Sequence, residues 1–316
     1  MTHLLQPLIE QRADPQIYKH SDGYYYFTAS VPAYDRLELR RAETIDGLAQ
    51  AEPVSIWHKP DTGPLSDLIW APELHFNQGA WYIYFAAAPN RELKDGAFQH
   101  RMYCISTEAD SPLTGDWSEP RQIDTGMDSF CLDATAFTHH DQLYYVWAQK
   151  DPAIRGNSNL YIARMHRPDR IEGKPVRLSI PEIDWECRGF LVNEGPAVLI
   201  RNGRVLLTYS ASATDENYCM GLLWADEAAD LLDPASWTKL KQPVFQSDYA
   251  NRIFGPGHNS FTQAEDGETD LLVYHARTYT DIQGDPLWDP NRHTFVKPIR
   301  WDQDDFPIFG KPSMVE

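Results

Sequence analysis

Three acidic residues and a histidine stand at matching positions of a repeated sequence pattern: Asp14, Asp133, Glu194 and His258. Two carboxyl groups that face one pocket can cleave a glycosidic bond, because one protonates the leaving oxygen while the other activates water or attacks the sugar. Carboxylates that crowd together lose hydration and repel one another, which is costly for a purely structural channel. Each residue alone would be interpreted as a turn, capping or core residue. Together, at matching positions, they predict a functional site.

A repeat of about sixty residues positions these side chains. Five segments each combine a short strand-like run, a polar turn and a strand rich in β-branched and aromatic residues. They begin at Asp14, Ala71, Asp133, Glu194 and His258, so that successive starts differ by 57, 62, 61 and 64 residues. The turns include Ser21-Asp22-Gly23, Arg201-Asn202-Gly203 and Glu265-Asp266-Gly267. Asn-Gly or Asp-Gly between apolar runs is a strong hairpin signal.

Each repeat also contains strand-like runs after the hairpin, which gives room for about four short strands. The sequence therefore predicts an all-β fold, a five-bladed β-propeller with four-stranded blades around a central channel. A sandwich or jelly roll would not produce a five-fold repeat, and an α/β fold would need helices between its strands. No composition shift marks a boundary, so residues 1–316 are predicted to form a single domain. The first strand of each blade lines the channel, where the acids would converge.

The composition argues against several classes of partner. The chain has 28 Lys and Arg against 46 Asp and Glu, a formal net charge of −18. Because such a surface repels phosphate groups, we expect neither a nucleic acid nor a membrane as a partner. Aromatic residues reach 12% and offer flat apolar faces for sugar rings. No GxGxxG, GxxxxGK[ST], GxSxG or HExxH motif is present, and no organic cofactor is expected.

Two features predict a cytoplasmic protein. The first sixteen residues lack the basic start, the long apolar core and the small-residue cleavage site of a signal peptide. The four cysteines, Cys104, Cys131, Cys187 and Cys219, form no CxxC pair, which favours free and mostly buried thiols in a reducing compartment. The oligomeric state is left open by the sequence.

Five stretches spread along the chain resemble the motifs of glycoside hydrolase family 43. They are Arg12-Ala13-Asp14-Pro15, Ile69-Trp70-Ala71-Pro72-Glu73-Leu74-His75, Leu132-Asp133-Ala134, Val192-Asn193-Glu194-Gly195-Pro196 and Gly255-Pro256-Gly257-His258-Asn259-Ser260. The resemblance implies a propeller that inverts the anomeric centre. It also implies roles for three acids: Asp14 as general base, Glu194 as general acid, and Asp133 as the residue that orients the acid and tunes its pKa.

Further binding residues follow from the same resemblance and from position in the repeat. His258 resembles the channel histidine that lies beside a bound Ca²⁺ or other cation in the family, although a lone histidine would need water to complete the oxygen shell. Arg277, in Tyr274-His275-Ala276-Arg277, resembles the arginine that contacts the sugar and the acid. Trp70 precedes the second inner strand, and we expect it at the rim of the channel as a substrate-binding residue.

The two motifs around Trp70 and Glu194 look most similar to those of exo-acting α-L-arabinofuranosidases. The predicted activity is release of terminal α-L-arabinofuranosyl residues from arabino-oligosaccharides or arabinan side chains, with exo-α-1,5 action. A β-xylosidase or an endo-arabinanase of the same family is the alternative, and a sugar-binding propeller without turnover is an alternative of another class. A further rival assigns the acid to Glu186, because Asp184-Trp185-Glu186-Cys187 resembles the Trp-Glu-Cys motif of fructan-cleaving propellers that retain configuration. Glu194 is preferred because it begins a repeat.

Overall fold

The computed structural model describes residues 6–312. Two parts of the predicted domain lie outside the described residues, 1–5 and 313–316. The first of them belongs to the segment examined for a signal peptide. The first two sheets contain eight strands. They are β1 (Ala13–Lys19), β2 (Tyr25–Ser30), β3 (Arg36–Ala42), β4 (Val54–His58), β5 (Asp67–Asn77), β6 (Ala80–Ala88), β7 (Arg101–Thr107) and β8 (Arg121–Gln122).

The remaining sheets follow in chain order. Their strands are β9 (Cys131–His139), β10 (Gln142–Gln149), β11 (Asn159–Arg167), β12 (Arg170–Ser179), β13 (Asn193–Arg201), β14 (Arg204–Ala211), β15 (Cys219–Asp226), β16 (Thr238–Lys239), β17 (Phe254–Gln263), β18 (Asp270–Arg277), β19 (His293–Pro298), β20 (Arg300–Trp301) and β21 (Pro307–Ile308). Short 3-10 helices occupy Asp46–Ala49, Asp184–Glu186, Pro234–Ser236 and Pro286–Trp288. No helix among residues 6–312 is long and apolar enough to cross a membrane.

The sheets form five blades of antiparallel neighbours, in the orders β1-β2-β3-β4, β5-β6-β7-β8, β9-β10-β11-β12, β13-β14-β15-β16 and β17-β18-β19. The innermost strands contact one another in a closed ring, from β1 to β5, β9, β13, β17 and back to β1. The prediction of a five-bladed β-propeller is confirmed. The small β20-β21 hairpin follows the last blade.

The second strand of a blade lies between two neighbours in its sheet and is covered on both faces by adjacent blades. All six residues of β2 and all eight of β18 are buried. Trp81 at the start of β6 and Trp147 in β10 are fully buried. Burial on both faces explains why these segments read as continuous aromatic and β-branched runs rather than as a simple alternation.

The ring is closed by the beginning of the chain. Ile9 pairs with Thr294 on the outer edge of β19, and Thr294 N–H donates to Ile9 O at 2.9 Å. Leu8 N–H donates to Thr294 O at 2.8 Å. This short pairing occupies the fourth position of the fifth blade, and β1 then begins the first blade four residues later. The last and first blades are thereby joined by main-chain hydrogen bonds as well as by packing.

Candidate active site

Each inner strand contains the same backbone irregularity near its start. The pairing register slips there, and a residue with a positive φ recurs in every inner strand: Asp14 at 55°, Ala71 at 44°, Asp133 at 49°, Gly195 at 54° and His258 at 41°. Leu68 in β5 and Gly255 in β17 are second residues of this kind. A positive φ is uncommon for residues other than glycine, and such strain concentrates at functional sites. Bulges of this kind redirect the side chains around them. The repeat read from the sequence is therefore also a repeat of backbone conformation.

The alignment of the fourth repeat needs a correction of one residue. Gly195, and not Glu194, occupies the position equivalent to Asp14 and Asp133. A Cβ atom at Gly195 would lie 3.1 Å from Cγ of His258 and would press on the imidazole, and the φ of 54° also disfavours residues other than glycine. The acid of this blade accordingly comes from the preceding position, Glu194.

Four of the five recurring positions donate their main-chain N–H to a side chain of the preceding blade. Ala71 N–H donates to Ser30 Oγ at 2.8 Å and His258 N–H to Ser210 Oγ at 2.7 Å. Asp14 N–H donates to His275 Nδ1 and Gly195 N–H to Asp133 Oδ2, both at 3.0 Å. Because buried N–H groups need acceptors, these bonds hold each bulge in register with the blade before it.

Asp14, Asp133, Glu194 and His258 line a single cavity of about 360 Å³. The ring thus brings together the four side chains on which the sequence prediction depends. The other side chains of the wall come from the loops and strand ends of the second to fifth blades, among them Trp70, Phe98, Phe130, Phe190, Tyr218, Leu287 and Arg292. Polar groups at the base and apolar groups on the walls are typical of a small-ligand site.

Asp14 lies among hydrogen-bond donors and positive charges. Ser30 Oγ donates to Oδ2 at 2.5 Å, and Oδ1 lies 3.2 Å from His258 Nδ1 and 3.6 Å from Arg292 Nη1. Burial alone would raise the pKa of Asp14, but its interactions with His258, Arg292 and His275 outweigh burial and lower the pKa well below its usual range. Burial also lowers the pKa of His258. The charge of Arg292 does not depend on pH in this range, so Arg292 contributes to the ionised state of Asp14 throughout it.

Glu194 has the opposite electrostatic environment. Burial raises the pKa of Glu194 to about 7; the hydrogen bond from the Tyr218 hydroxyl opposes the rise, and the charge of Asp14 adds to it. That hydroxyl donates to Glu194 Oε1 at 2.8 Å. Burial likewise raises the pKa of Asp133 well above its usual range, and the charges of Glu194 and Asp14 raise it further. One ionised and two proton-holding carboxyl groups therefore share the cavity.

Arg292 and Tyr218 are site residues that the sequence analysis missed. Arg292 precedes β19 and Tyr218 precedes β15, so neither belongs to an inner strand or to a repeated motif. Arg292 is 6% exposed, and its Nη2 donates to the Tyr34 hydroxyl at 3.0 Å. Nothing in the local sequence distinguishes it from other arginines, because only ring closure brings it to Asp14.

Arg277, predicted to contact the sugar and the acid, lies elsewhere. It is outside the residues that line the cavity, and it donates to Thr214 O at 2.5 Å and to Pro286 O at 2.6 Å. The guanidinium thus joins two wall segments from behind. Arg292 occupies the place beside the carboxylates that the resemblance assigned to Arg277.

Trp70 forms part of the cavity wall rather than its rim. It is 8% exposed and stacks on His100, with ring centroids 4.0 Å apart. Tyr34 and Phe98 contact its edges at centroid distances of 5.7 and 5.5 Å. The ring is therefore fixed by aromatic packing, and its exposed part faces the cavity.

The cation expected beside His258 has little support from the donor set. Nδ1 of His258 lies 3.2 Å from Asp14 and 3.6 Å from Asp133. Within residues 6–312, no group of three or more His, Cys, Asp or Glu side chains has the arrangement of a metal site. Ca²⁺ prefers six to eight oxygen ligands, so the residues present fit it poorly. The cation stays a prediction, and no chemical step is assigned to it.

Glu186, the rival acid, is fully buried and is not among the residues that line the cavity. Its carboxylate is paired with Lys239 Nζ at 2.8 Å and accepts the Tyr209 hydroxyl at 2.7 Å. A carboxylate with these partners cannot reach a sugar in the cavity. The preference for Glu194 over Glu186 agrees with this geometry.

Comparison with known proteins decides the family. The model of glycosyl hydrolases family 43 matches residues 4–307. The chain belongs to this family. This family-43 chain is 53% identical over 306 residues to a protein of Streptomyces avermitilis named extracellular exo-α-(1→5)-L-arabinofuranosidase, covering 97% of the chain and 63% of that protein. It is 52% identical over 306 residues to α-L-arabinofuranosidase 43 of Humicola insolens, covering 96% of the chain and 63% of that protein.

The family-43 chain therefore spans about 63% of the length of these two curated relatives. Among solved structures, the crystal structure of an α-L-arabinofuranosidase from Lactobacillus brevis has a TM-score of 0.95 and 63% sequence identity, covering 97% of this chain and 96% of that one. The crystal structure of a thermostable family-43 glycoside hydrolase, at 24% identity and a TM-score of 0.76, shows the same fold.

The prediction of a cytoplasmic protein was wrong. The Streptomyces avermitilis relative and a 49% identical relative from Streptomyces chartreusis are both named extracellular, which points to secretion. A signal peptide is removed from a mature protein, so the pattern at the start of a sequence does not decide the compartment. The four cysteines are free, and Cys104, Cys131 and Cys219 are buried. Buried thiols are inert, so they fit an oxidising compartment as well as a reducing one.

Proposed function

We propose that the chain is an inverting, exo-acting α-L-arabinofuranosidase that releases terminal arabinofuranosyl residues from arabino-oligosaccharides or arabinan side chains, with α-1,5 linkages as the preferred substrate. The observation that carries this proposal is electrostatic. One cavity holds an acid whose pKa is lowered, Asp14, and an acid whose pKa is raised to about 7, Glu194. Acids with separated pKa values suit a base and an acid that work at the same pH. The names of the relatives support the choice of sugar.

In this mechanism Glu194 is the general acid. Its proton is held by burial up to about pH 7, and it passes to the glycosidic oxygen as the bond to the anomeric carbon breaks. The Tyr218 hydroxyl, which donates to Oε1, stabilises the carboxylate that remains. Because the leaving sugar alkoxide is a strong base, this proton transfer is needed most for natural oligosaccharides.

Asp14 is the general base. It accepts a proton from a water molecule that attacks the anomeric carbon from the face opposite the leaving group. Ser30 Oγ and Arg292 fix the carboxylate, and His275 Nδ1 accepts the main-chain N–H of Asp14. Inversion requires room for this water, so the two carboxyl groups are expected to lie about 6.5–9.5 Å apart.

Asp133 is the proposed positioning residue for the acid. Its Oδ2 accepts the N–H of Gly195, the residue directly after Glu194. Asp133 lies in the first strand of the third blade and Glu194 in that of the fourth, so this bond spans neighbouring blades. Burial and the charge of Glu194 raise the pKa of Asp133, and the hydrogen bond from Gly195 opposes that rise.

The decisive experiment compares substrates with poor and good leaving groups. Arabinotriose and dinitrophenyl α-L-arabinofuranoside would be incubated with the wild type, Glu194→Gln, Asp14→Asn and the exposed control Glu268→Gln. General acid–base catalysis contributes about 10²–10⁴-fold, so Asp14→Asn should lose that factor on both substrates. Glu194→Gln should lose it on arabinotriose but lose far less on the dinitrophenyl substrate. Near-normal turnover of arabinotriose by either variant would remove that residue from the mechanism.

The same samples separate the alternatives. NMR of the first product should show the β-anomer of arabinose, because inversion excludes a covalent glycosyl intermediate. Release of xylose from xylosyl oligosaccharides at higher kcat/KM would favour a β-xylosidase. Oligomers rather than arabinose from linear arabinan would favour an endo-arabinanase. Binding without release of sugar would indicate a propeller that only recognises carbohydrate.

A further inference from the structure

A buried carboxylate that the proposed reaction does not use lies behind the cavity wall. Glu186 ends the 3-10 helix Asp184–Glu186 and is fully buried. Oε1 accepts the Tyr209 hydroxyl at 2.7 Å and Asn193 Nδ2 at 3.1 Å, and Lys239 Nζ lies 2.8 Å away. Oε2 accepts the main-chain N–H of Glu182 at 3.0 Å and of Ile183 at 2.9 Å. A buried carboxylate with this many donors is held in one orientation.

The bond to Asn193 closes a loop that contributes to the cavity. Residues 187–192 connect Glu186 to Asn193, and Gly189, Phe190 and Val192 of this segment line the cavity. The two ends of the loop are joined at its base by the side chains of Glu186 and Asn193. The main-chain O of Glu186 also accepts the N–H of Ser212, another residue of the wall.

Asn193 directly precedes the proposed general acid and is bonded at every polar atom. Its N–H donates to Ser158 O at 3.1 Å, and its O accepts the Ser158 hydroxyl at 3.2 Å. Its Oδ1 accepts the Ser179 hydroxyl at 2.6 Å, and Nδ2 donates to Glu186. The backbone that carries Glu194 is thus held by Asn193 on one side and by the bond from Gly195 to Asp133 on the other.

We propose that Glu186 is a positioning residue for the general acid, which acts through Asn193 to hold the start of β13 and therefore the carboxyl group of Glu194. The proposal rests on the proposed function, because it assigns Glu194 the role of acid. The position of Glu186 in a Trp-Glu-Cys sequence then has a different explanation from direct catalysis. In this chain Glu186 supports the cavity wall from behind, and Lys239 and Tyr209 hold its carboxylate in place.

Such a role predicts that the loss of activity depends on the leaving group of the substrate. A displacement of about 1 Å in a catalytic group can cost about 10²-fold in rate. Only substrates that need the proton of Glu194 would show this cost. A residue that merely stabilised the fold would lower the active fraction and so reduce turnover of every substrate by the same factor.

Asn193→Ala is the variant that tests this role, because it breaks the link while Glu186 keeps Lys239 and Tyr209. Tyr274→Phe is the matched control, since it removes a buried hydroxyl that donates to Pro312 O at 2.6 Å in the fifth blade. We expect Asn193→Ala to lower kcat about 10–100-fold on arabinotriose and less than about 3-fold on the dinitrophenyl substrate. KM should change little, and Tyr274→Phe should leave the ratio of the two activities at the wild-type value.

Tyr209→Phe is a second variant that tests the same role if Asn193→Ala folds poorly. It removes one donor to Glu186 and should change the ratio in the same direction by a smaller factor. An equal loss on both substrates in Asn193→Ala or Tyr209→Phe would overturn the positioning role. Failure of the proposed function is distinguishable from this result: the wild type would then be inactive on both substrates, or Glu194→Gln would itself show no dependence on the leaving group.

Discussion

Replacement of Arg292 by glutamine should move the acidic limb of the pH profile. Arg292 Nη1 lies 3.6 Å from Asp14 Oδ1, and both side chains are less than 10% exposed. At an effective dielectric constant of about 20, a unit charge at this distance contributes about 5 kcal/mol, or about 3 pKa units. Ser30 and His275 remain in place, so a rise of about 1–3 units in the pKa of Asp14 is the expected outcome.

The measurement is kcat/KM against pH with dinitrophenyl arabinofuranoside, because this ratio reports the ionisation of the free enzyme. In the wild type, the pKa of Asp14 lies well below its usual range, so no acidic limb should appear above about pH 4. In Arg292→Gln, activity should fall tenfold per pH unit below a new midpoint. Arg292 also lowers the pKa of Glu194, so any alkaline limb should move upward as well.

Arg292→Lys is the matched control, since it keeps the positive charge and should keep the wild-type acidic limb. A lower kcat with an unmoved limb in Arg292→Gln would refute the electrostatic reasoning. In that case Arg292 would serve only to bind the sugar. Equal shifts in both variants would show that the geometry of the guanidinium, rather than its charge, controls Asp14.

Three further predictions concern stability. Glu194→Gln should raise Tm at pH 8 but not near pH 4. The pKa of Glu194 rises from 4.5 in the unfolded chain to about 7 in the folded protein, so ionisation of Glu194 between these pH values lowers the free energy of unfolding of the wild type by about 3 kcal/mol. Thermal scans that show no pH-dependent gain in Tm would contradict this. Gly195→Ala should lower the free energy of unfolding by about 2 kcal/mol in urea titrations, because φ is 54° and Cβ would meet His258 at 3.1 Å; unchanged stability would disprove the strain. After EDTA treatment, CaCl₂ should raise Tm only at millimolar concentrations, because one imidazole makes a weak site; no rise at any concentration would eliminate the cation.

The blades were predictable because each must bury its second strand on both faces. The sequence therefore contains the same kind of aromatic and β-branched run, next to a similar turn, five times. Asp14 and Asp133 could be located for the same reason, since they mark the start of an inner strand. Their convergence follows from ring geometry alone.

The remaining site residues could not be read from the repeat. The one-residue offset of Glu194 depends on the contact between Gly195 and His258, which exists only after two blades pack together. Tyr218 and Arg292 lie just before the third strand of the fourth and of the fifth blade, where the sequence repeat has no recurring motif. Arg277 was chosen by resemblance, yet its position at the end of β18 directs it to the carbonyls of Thr214 and Pro286.

Closure of the ring by Ile9 and Thr294 makes the environment of the proposed base depend on synthesis of the fifth blade. Asp14 leaves the ribosome early, but His275, which accepts its N–H, follows 261 positions later, and Arg292 follows later still. Until the fifth blade emerges, the base has neither of these partners. A nascent or truncated chain that lacks the fifth blade should therefore be inactive even when the other four blades have folded.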